Sequence, residues 1–337
     1  MRVYHFHYDG KRRGNWGEWA TAYVVGKMLL SAGCNLVQQP EDADAVVCSG
    51  GTLLDTLGQD GVGPRVPKLL RLKCPYAIFG MGVAAEPFRG TYQESADSRM
   101  NLRSVCEKAV YVGVRDEGSL ENLQVVGFTG GSLTYDPTVL LPLLLRQQGM
   151  NVVNSNGRSI GISVAAHNPN VLTVLKGRNP ERTLDAVRGF LNYADKHGWE
   201  CVPLCFNIVD IPLLCSLGFA LASHVTDPIL MCMTISTCRY VVGERMHACL
   251  LAAACRTPFL ALVYKQVMSA ALNSVVPVMP RMSVVGIDEN KLIREFARMA
   301  SEEQVLRSEL NLWFLQAELT CAEEFLHMVK VLQQARR

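Results

Sequence analysis

The feature that most constrains this chain is a rhythm. Short apolar runs recur, each ends in glycine or a polar residue, and helical patterns separate most of them. Residues 3–6, 44–48, 76–79, 109–112 and 132–135 are such runs. The later ones lead into Ser49-Gly50-Gly51-Thr52, Gly80-Met81-Gly82, Gly113-Val114-Arg115-Asp116 and Asp136-Pro137-Thr138. Uninterrupted apolar runs of this length suit strands buried on both faces, and their alternation with helices predicts a parallel, doubly wound sheet. In such sheets ligands bind in the crevice at the carboxyl ends of the strands, where these turns fall.

Residues 149–158, with Asn151, Asn154, Ser155, Asn156 and Gly157, read as a linker or surface loop, after which the rhythm restarts. Strands are expected at 160–164, 200–204, 219–222, 239–242, 259–263 and 283–287. Helices are expected at 181–196, 228–236, 248–255 and 288–300. In the first half, residues 19–30 fit a helix capped by Asn15. The end of the chain, 301–334, repeats apolar residues at Leu306, Leu310, Trp313, Phe325, Met328 and Leu332, a helical spacing with one apolar face. The expected architecture is α/β. A Rossmann-like domain over 1–150 faces a second over 157–300 across a cleft, and a C-terminal helix over 301–337 crosses back to the first core.

One turn is richer in charge than the rest. Arg239-Tyr240-Val241-Val242 reads as a strand, Gly243-Glu244-Arg245-Met246-His247 as its turn, and 248–255 as the following helix. Arg245 and His247 would diverge inside a helix, but in a turn they can converge. Lys265 falls at the end of the next strand, 259–263, within reach of the same crevice. Cations around a helix start suit a phosphate or carboxylate, because the first backbone N–H groups already favour an anion. The plain alternative is a surface salt-bridged turn before a buried helix.

Composition removes several classes. Hydrophobic residues make up 49% and charged residues 19% of the 337, so sizeable cores are available. A net charge of +2, with no basic run longer than Lys11-Arg12-Arg13, gives no support for a nucleic-acid partner. None of the 12 cysteines forms a CxxC pair, and no Cys/His spacing suits zinc, so buried free thiols in a reducing, cytoplasmic compartment are expected and no metal is. The longest apolar stretch, 248–264, is broken by Arg256 and Pro258 and reads as helix-turn-strand. Peripheral membrane association stays open. No turn carries a GxGxxG or P-loop pattern in context, which disfavours a dinucleotide cofactor. His5, His7, His167, His197 and His224 sit singly on strands, loops or helix ends and read as structural.

The run Val241-Val242-Gly243-Glu244-Arg245-Met246-His247-Ala248, followed by Pro258 and Tyr264-Lys265, resembles the polysaccharide pyruvyl transferase family. Gly14-Asn15-Trp16-Gly17-Glu18, Ser49-Gly50-Gly51-Thr52, Gly80-Met81-Gly82, Val114-Arg115-Asp116-Glu117-Gly118-Ser119 and Asp136-Pro137 support it in family order, over residues 14 to 265. Glu18 stands where the family usually has Asp. The resemblance implies a GT-B-like pair of Rossmann-like domains. It implies transfer of pyruvate from phosphoenolpyruvate, as donor substrate and without a cofactor, onto two hydroxyls of a sugar or glycan acceptor, free or lipid-linked, giving a cyclic ketal and phosphate. It assigns Arg245, His247 and Asp136 to catalysis. Arg115, Lys265, Asn15, Glu18, Gly50, Gly51 and Gly82 are assigned to substrate binding. A nucleotide-sugar-dependent glycosyltransferase of the same plan, and a non-catalytic member binding a glycan or protein, are the competing readings. The oligomeric state is not legible.

Overall fold

The structure is a computed structural model that describes residues 1–7, 14–54, 68–83, 96–150, 157–166, 179–220, 227–264 and 266–336. The chain divides into two compact units. The first comprises Met1–Asp9, Thr21–Leu140 and Ala317–Arg337, and the second Gly10–Ala20 and Leu141–Gln316. Two helices therefore contribute to both units, Trp16–Ser31 near the start and Glu303–Ala335 at the end.

The first unit is built on seven strands: β1 (Arg2–His7), β2 (Asn35–Val37), β3 (Ala45–Ser49), β4 (Thr52–Leu54), β5 (Tyr76–Val83), β6 (Tyr111–Val114) and β7 (Ser132–Leu133). Every pairing is parallel, in the order β2-β1-β3-β5-β6-β7, with β4 beside β5. All residues of β3 and β5 are buried, which is why their sequences read as unbroken apolar runs. Phe325 of the terminal helix meets Phe79 edge-to-face at 5.4 Å, and the Tyr111 hydroxyl donates to Glu324 Oε2 at 2.5 Å. Burial, reinforced by that carboxylate, pushes the Tyr111 phenol far above its ordinary range.

The second unit holds β8 (Ser159–Ser163), β9 (Glu200–Pro203), β10 (Tyr240–Gly243), β11 (Phe259–Val263) and β12 (Arg281–Ser283), all parallel, in the order β12-β11-β10-β8-β9. The chain moves outward from β8 to β9, then crosses back and continues from β10 on the other side. The reversal between β8 and β10 is the switch point of a doubly wound sheet. The helix Pro180–Lys196 starts at Asn179, whose side chain accepts from Arg182 N, and Glu289–Ser301 starts at Asp288, which accepts from Lys291 N. Phe190, Phe296, Tyr240 and Trp199 interlock between these helices and the sheet.

The α/β class with two parallel sheets is thus as expected, with local corrections. The run at 283–287 is not the last strand. The strand lies at Arg281–Ser283 and gives way to a turn in which Gly286 takes φ +70°. Phe219 and Ala220 are not in a strand, and the remainder of the predicted strand 219–222 lies outside the described residues. β2 and β4, three residues each, are too short for a periodic signal. On the terminal helix, Leu306, Leu310, Phe325, Met328 and Leu332 are buried as expected, but Trp313 is 43% exposed and its neighbour Phe314 faces the core in its place. Among the described residues no helix is long and apolar enough to cross a membrane.

Candidate functional site

The switch point of the second unit brings together turns that are far apart in sequence. β8 leads into Val164-Ala165-Ala166, and β10 into Glu244 and Arg245, directly before the helix Met246–Ala254. Glu244 N donates to Ser163 O at 2.8 Å, and Ala165 N donates to Glu244 Oε2 at 2.8 Å, so the two turns are stitched side by side. Glu244 is only 2% exposed and takes its place as a structural carboxylate.

Arg245 is held by a partner that sequence reasoning missed. Asp210, fully buried, receives Arg245 Nε on Oδ2 at 2.9 Å and Arg245 Nη2 on Oδ1. The same Oδ1 accepts Ala166 N at 2.8 Å, and Arg245 Nη2 also donates to Ala166 O at 3.1 Å. Burial pushes the Asp210 carboxyl upward, against the hydrogen bonds and charge of Arg245, which pull it down. Burial likewise works against the Arg245 charge, but the Asp210 hydrogen bonds outweigh it and hold the proton on the guanidinium. The two-pronged edge of Arg245 is therefore occupied by a carboxylate, and the cation read from the sequence is already neutralised in place. The signal for Asp210 was Asp210-Ile211-Pro212, an acid before a helix-starting proline, past the carboxyl end of a strand.

His247 occupies the first turn of Met246–Ala254. Arg245 holds the N-cap position in an extended conformation and makes no side-chain cap hydrogen bond. The imidazole, 8% exposed, lies directly on Gly17, where a Cβ would come within 2.3 Å of Nδ1. Gly14-Asn15-Trp16-Gly17-Glu18 thus belongs with the second unit. Ile208 N donates to Gly14 O at 2.8 Å, Trp16 N donates to Phe206 O at 3.0 Å, and Asn15 forms an antiparallel bridge with Asn207. Gly14 takes φ +67° with Ile208 pressed against its Cα, a conformation and a clearance that favour glycine. Asn15 Oδ1 lies 3.4 Å from Glu18 N at the helix start, the expected capping geometry at a long distance. Glu18 Oε2 and Ser163 Oγ are buried without a hydrogen-bond partner.

Other predicted site residues lie in the first unit. Gly50 and Gly51, at φ +77° and +72°, form the turn after β3, and Gly82 N donates to Gly51 O at 3.0 Å. The Arg115 guanidinium lies on Gly82, whose added Cβ would be 2.7 Å from Cζ, and Arg115 Nε is 3.3 Å from Asp116 Oδ2. Asp136 is 2% exposed, and its Oδ1 accepts Thr138 N at 3.0 Å and Thr138 Oγ1 at 2.6 Å, capping the turn Pro137–Leu140. So the fold gathers Gly50, Gly51, Gly82, Arg115 and Asp136 in one unit, and Asn15, Glu18, Arg245 and His247 in the other. Lys265 lies outside the described residues. No group of three metal-ligating side chains occurs among the described residues.

Two α/β units with parallel sheets define the class, that of GT-B-like proteins. The chain is similar to UDP-GlcNAc 2-epimerase from Neisseria meningitidis bound to UDP-GlcNAc (TM-score 0.54, 10% identity, 99% of this chain and 100% of that one). It is also similar to UGT89C1 of Arabidopsis thaliana complexed with quercetin (0.57, 9%, 100% and 99%) and to the wall teichoic acid polymerase TagF carrying H548A (0.58, 9%, 99% and 89%). At such identities the likeness concerns the fold. No curated protein matches the chain in sequence. The sequence model for polysaccharide pyruvyl transferase matches residues 2–266, and the chain belongs to that family.

Proposed function

We propose that this protein moves the pyruvyl group of phosphoenolpyruvate onto two hydroxyls of a sugar in a polysaccharide or glycan precursor. The observation that carries the reading is the family-matched Gly243-Glu244-Arg245-Met246-His247 segment standing at the start of a helix at the switch point of a doubly wound sheet. The donor carries a phosphate and a carboxylate, and the positive end of a helix suits either. With its Nε and Nη2 on Asp210, Arg245 offers its remaining N–H groups in a fixed direction.

In the reaction, the methylene carbon gains a proton and becomes a methyl group. Two sugar oxygens bond to the adjacent carbon, whose bond to the phosphate oxygen breaks. Of the two protons lost by the hydroxyls, one balances the new methyl group and the other leaves on phosphate. We assign His247 as the acid and Glu18, with its unpartnered oxygen in the same unit, as the group that takes a hydroxyl proton. Asp136 holds Thr138 and is the less suited carboxylate. Arg115, Asn15, Lys265 and the glycines at 50, 51 and 82 remain assigned to substrate binding, with no cofactor or metal. Twelve free thiols accord with a reducing cytoplasm.

The test is acceptor-dependent phosphate release from phosphoenolpyruvate, run beside a melting-shift comparison of phosphoenolpyruvate with UDP- and GDP-sugars. Release that disappears in both Arg245→Ala and His247→Ala supports the assignment. Stabilisation by a nucleotide sugar alone supports a glycosyltransferase instead, and stabilisation by neither donor supports a binding protein.

A further inference from the structure

The terminal helix Glu303–Ala335 carries two apolar faces. The inner one, Leu306, Leu310, Phe314, Cys321, Phe325 and Met328, is buried in the protein. The outer one is a second, independent seam. Val305, Leu312, Leu319 and Leu326 recur every seven residues, and Leu315 fills the intermediate position three after Leu312. Leu312 is 70% exposed and Leu326 59%, although the inner face already satisfies the packing of the helix. A helix apolar on both sides is ordinarily covered on both. A strict seven-residue repeat is the spacing by which one helix seats along another.

We infer that this outer seam is the interface with a second copy of the chain, its helix docked antiparallel across a two-fold axis near Leu319. Charge decides the direction. Glu309 and Glu323 flank the seam towards one end and its middle, and Lys330 flanks it at the other. A parallel pairing would set each acid at the level of its own copy. An antiparallel one centred on Leu319 sets residues equally distant on either side against each other. Leu312 and Leu326 are both seven residues from that centre, and Glu309 and Lys330 are ten and eleven. Each Leu312 then meets a Leu326 and each Glu309 a Lys330, twice over, as two-fold symmetry requires. The acids beside the leucines also argue against a membrane, since surface-seated helices carry basic flanks. Centred on Leu319, the matched leucines run from Leu312 to Leu326, about 21 Å, with Val305 opposite Gln333, a contact that suits micromolar association rather than an obligate assembly.

Sedimentation equilibrium of the full chain, at concentrations up to about 100 μM, should show a reversible dimer. The pair Leu312→Glu and Leu319→Glu should give a monomer with unchanged circular dichroism and melting temperature, because both side chains already face solvent in the single chain. Glu309→Lys should weaken the dimer by about tenfold or more, and adding Lys330→Glu to it should restore wild-type association. A wild-type monomer throughout the range overturns the inference, whether or not it floats with phosphatidylcholine vesicles. So does a dimer indifferent to the leucine pair, or a charge reversal that the second substitution fails to rescue.

Discussion

Asp210 grips Arg245 by two N–H groups, with Nε 2.9 Å from Oδ2 and the carboxylate fully buried. The site cation is therefore set by an anion beneath it, and its position, more than its charge, is what Asp210 supplies. Asp210→Asn should destabilise the second unit by about 3–5 kcal/mol, the usual consequence of leaving a buried charge without its partner. Urea unfolding measures the loss. Arg245→Lys keeps the charge but cannot span both carboxylate oxygens, so it should lose turnover while unfolding at closer to wild-type urea. Equal activity in Arg245→Lys and wild type would remove the positional role.

Gly17 is the floor under His247. An alanine methyl there would sit 2.3 Å from Nδ1, so Gly17→Ala must displace the imidazole. Glycine is also a poor helix former, and the helix itself should tolerate or favour alanine. Because His247 Cγ and Cβ would also lie only 2.6 and 2.8 Å away, the expected outcome is a folded protein with a lowered melting temperature whose kcat falls by about a hundredfold, the scale of a misplacement near 1 Å. Steady-state kinetics beside a thermal melt separate the two effects.

Ser163 Oγ is buried with no hydrogen-bond partner. Ser163→Ala removes a desolvated hydroxyl and nothing that it holds. The unliganded protein should be stabilised by about 1–2 kcal/mol, and a melting temperature below wild type would contradict this account of the residue.

Glu303 titrates far from its ordinary value. Burial opposes its charge, but hydrogen bonds from Arg239, Tyr240 and Arg307 outweigh burial and hold the carboxyl at about 2, against an ordinary 4.5. A carboxyl depressed in the fold stabilises it above pH 4.5, and that contribution is lost as the pH falls from 4.5 through 2. After discounting for the partly exposed Arg239, it is on the order of 2 kcal/mol. Glu303→Gln should unfold more readily than wild type at pH 7, and the gap should close on acidification, as urea melts across this range would show.

Much of the fold was legible because its signals are local. A parallel strand buried on both faces must be apolar throughout, and β3 and β5 are. Asp227, Asn179 and Asp288 each accept hydrogen bonds from the first turn of their helix, so these starts can be read within four residues. Trp313 and Phe314 show where such reading fails. Adjacent aromatics on a helix with two apolar sides fit either face, and only the surrounding core selects Phe314.

The sequence by itself determined the alternation of strand and helix, the turns at the strands' ends, and the presence of an arginine and a histidine before one helix. The tertiary structure alone decided what those residues face. Asp210 lies 35 positions from Arg245, and Gly17 comes from the other end of the chain to lie under His247. Periodicity and capping act over a few residues, whereas the Asp210 contact depends on the strand order that returns distant turns to one switch point, and the Gly17 contact on the start of Trp16–Ser31 packing with the second unit. Whether an arginine is free or already held by a carboxylate is a property of that meeting and of no segment within it.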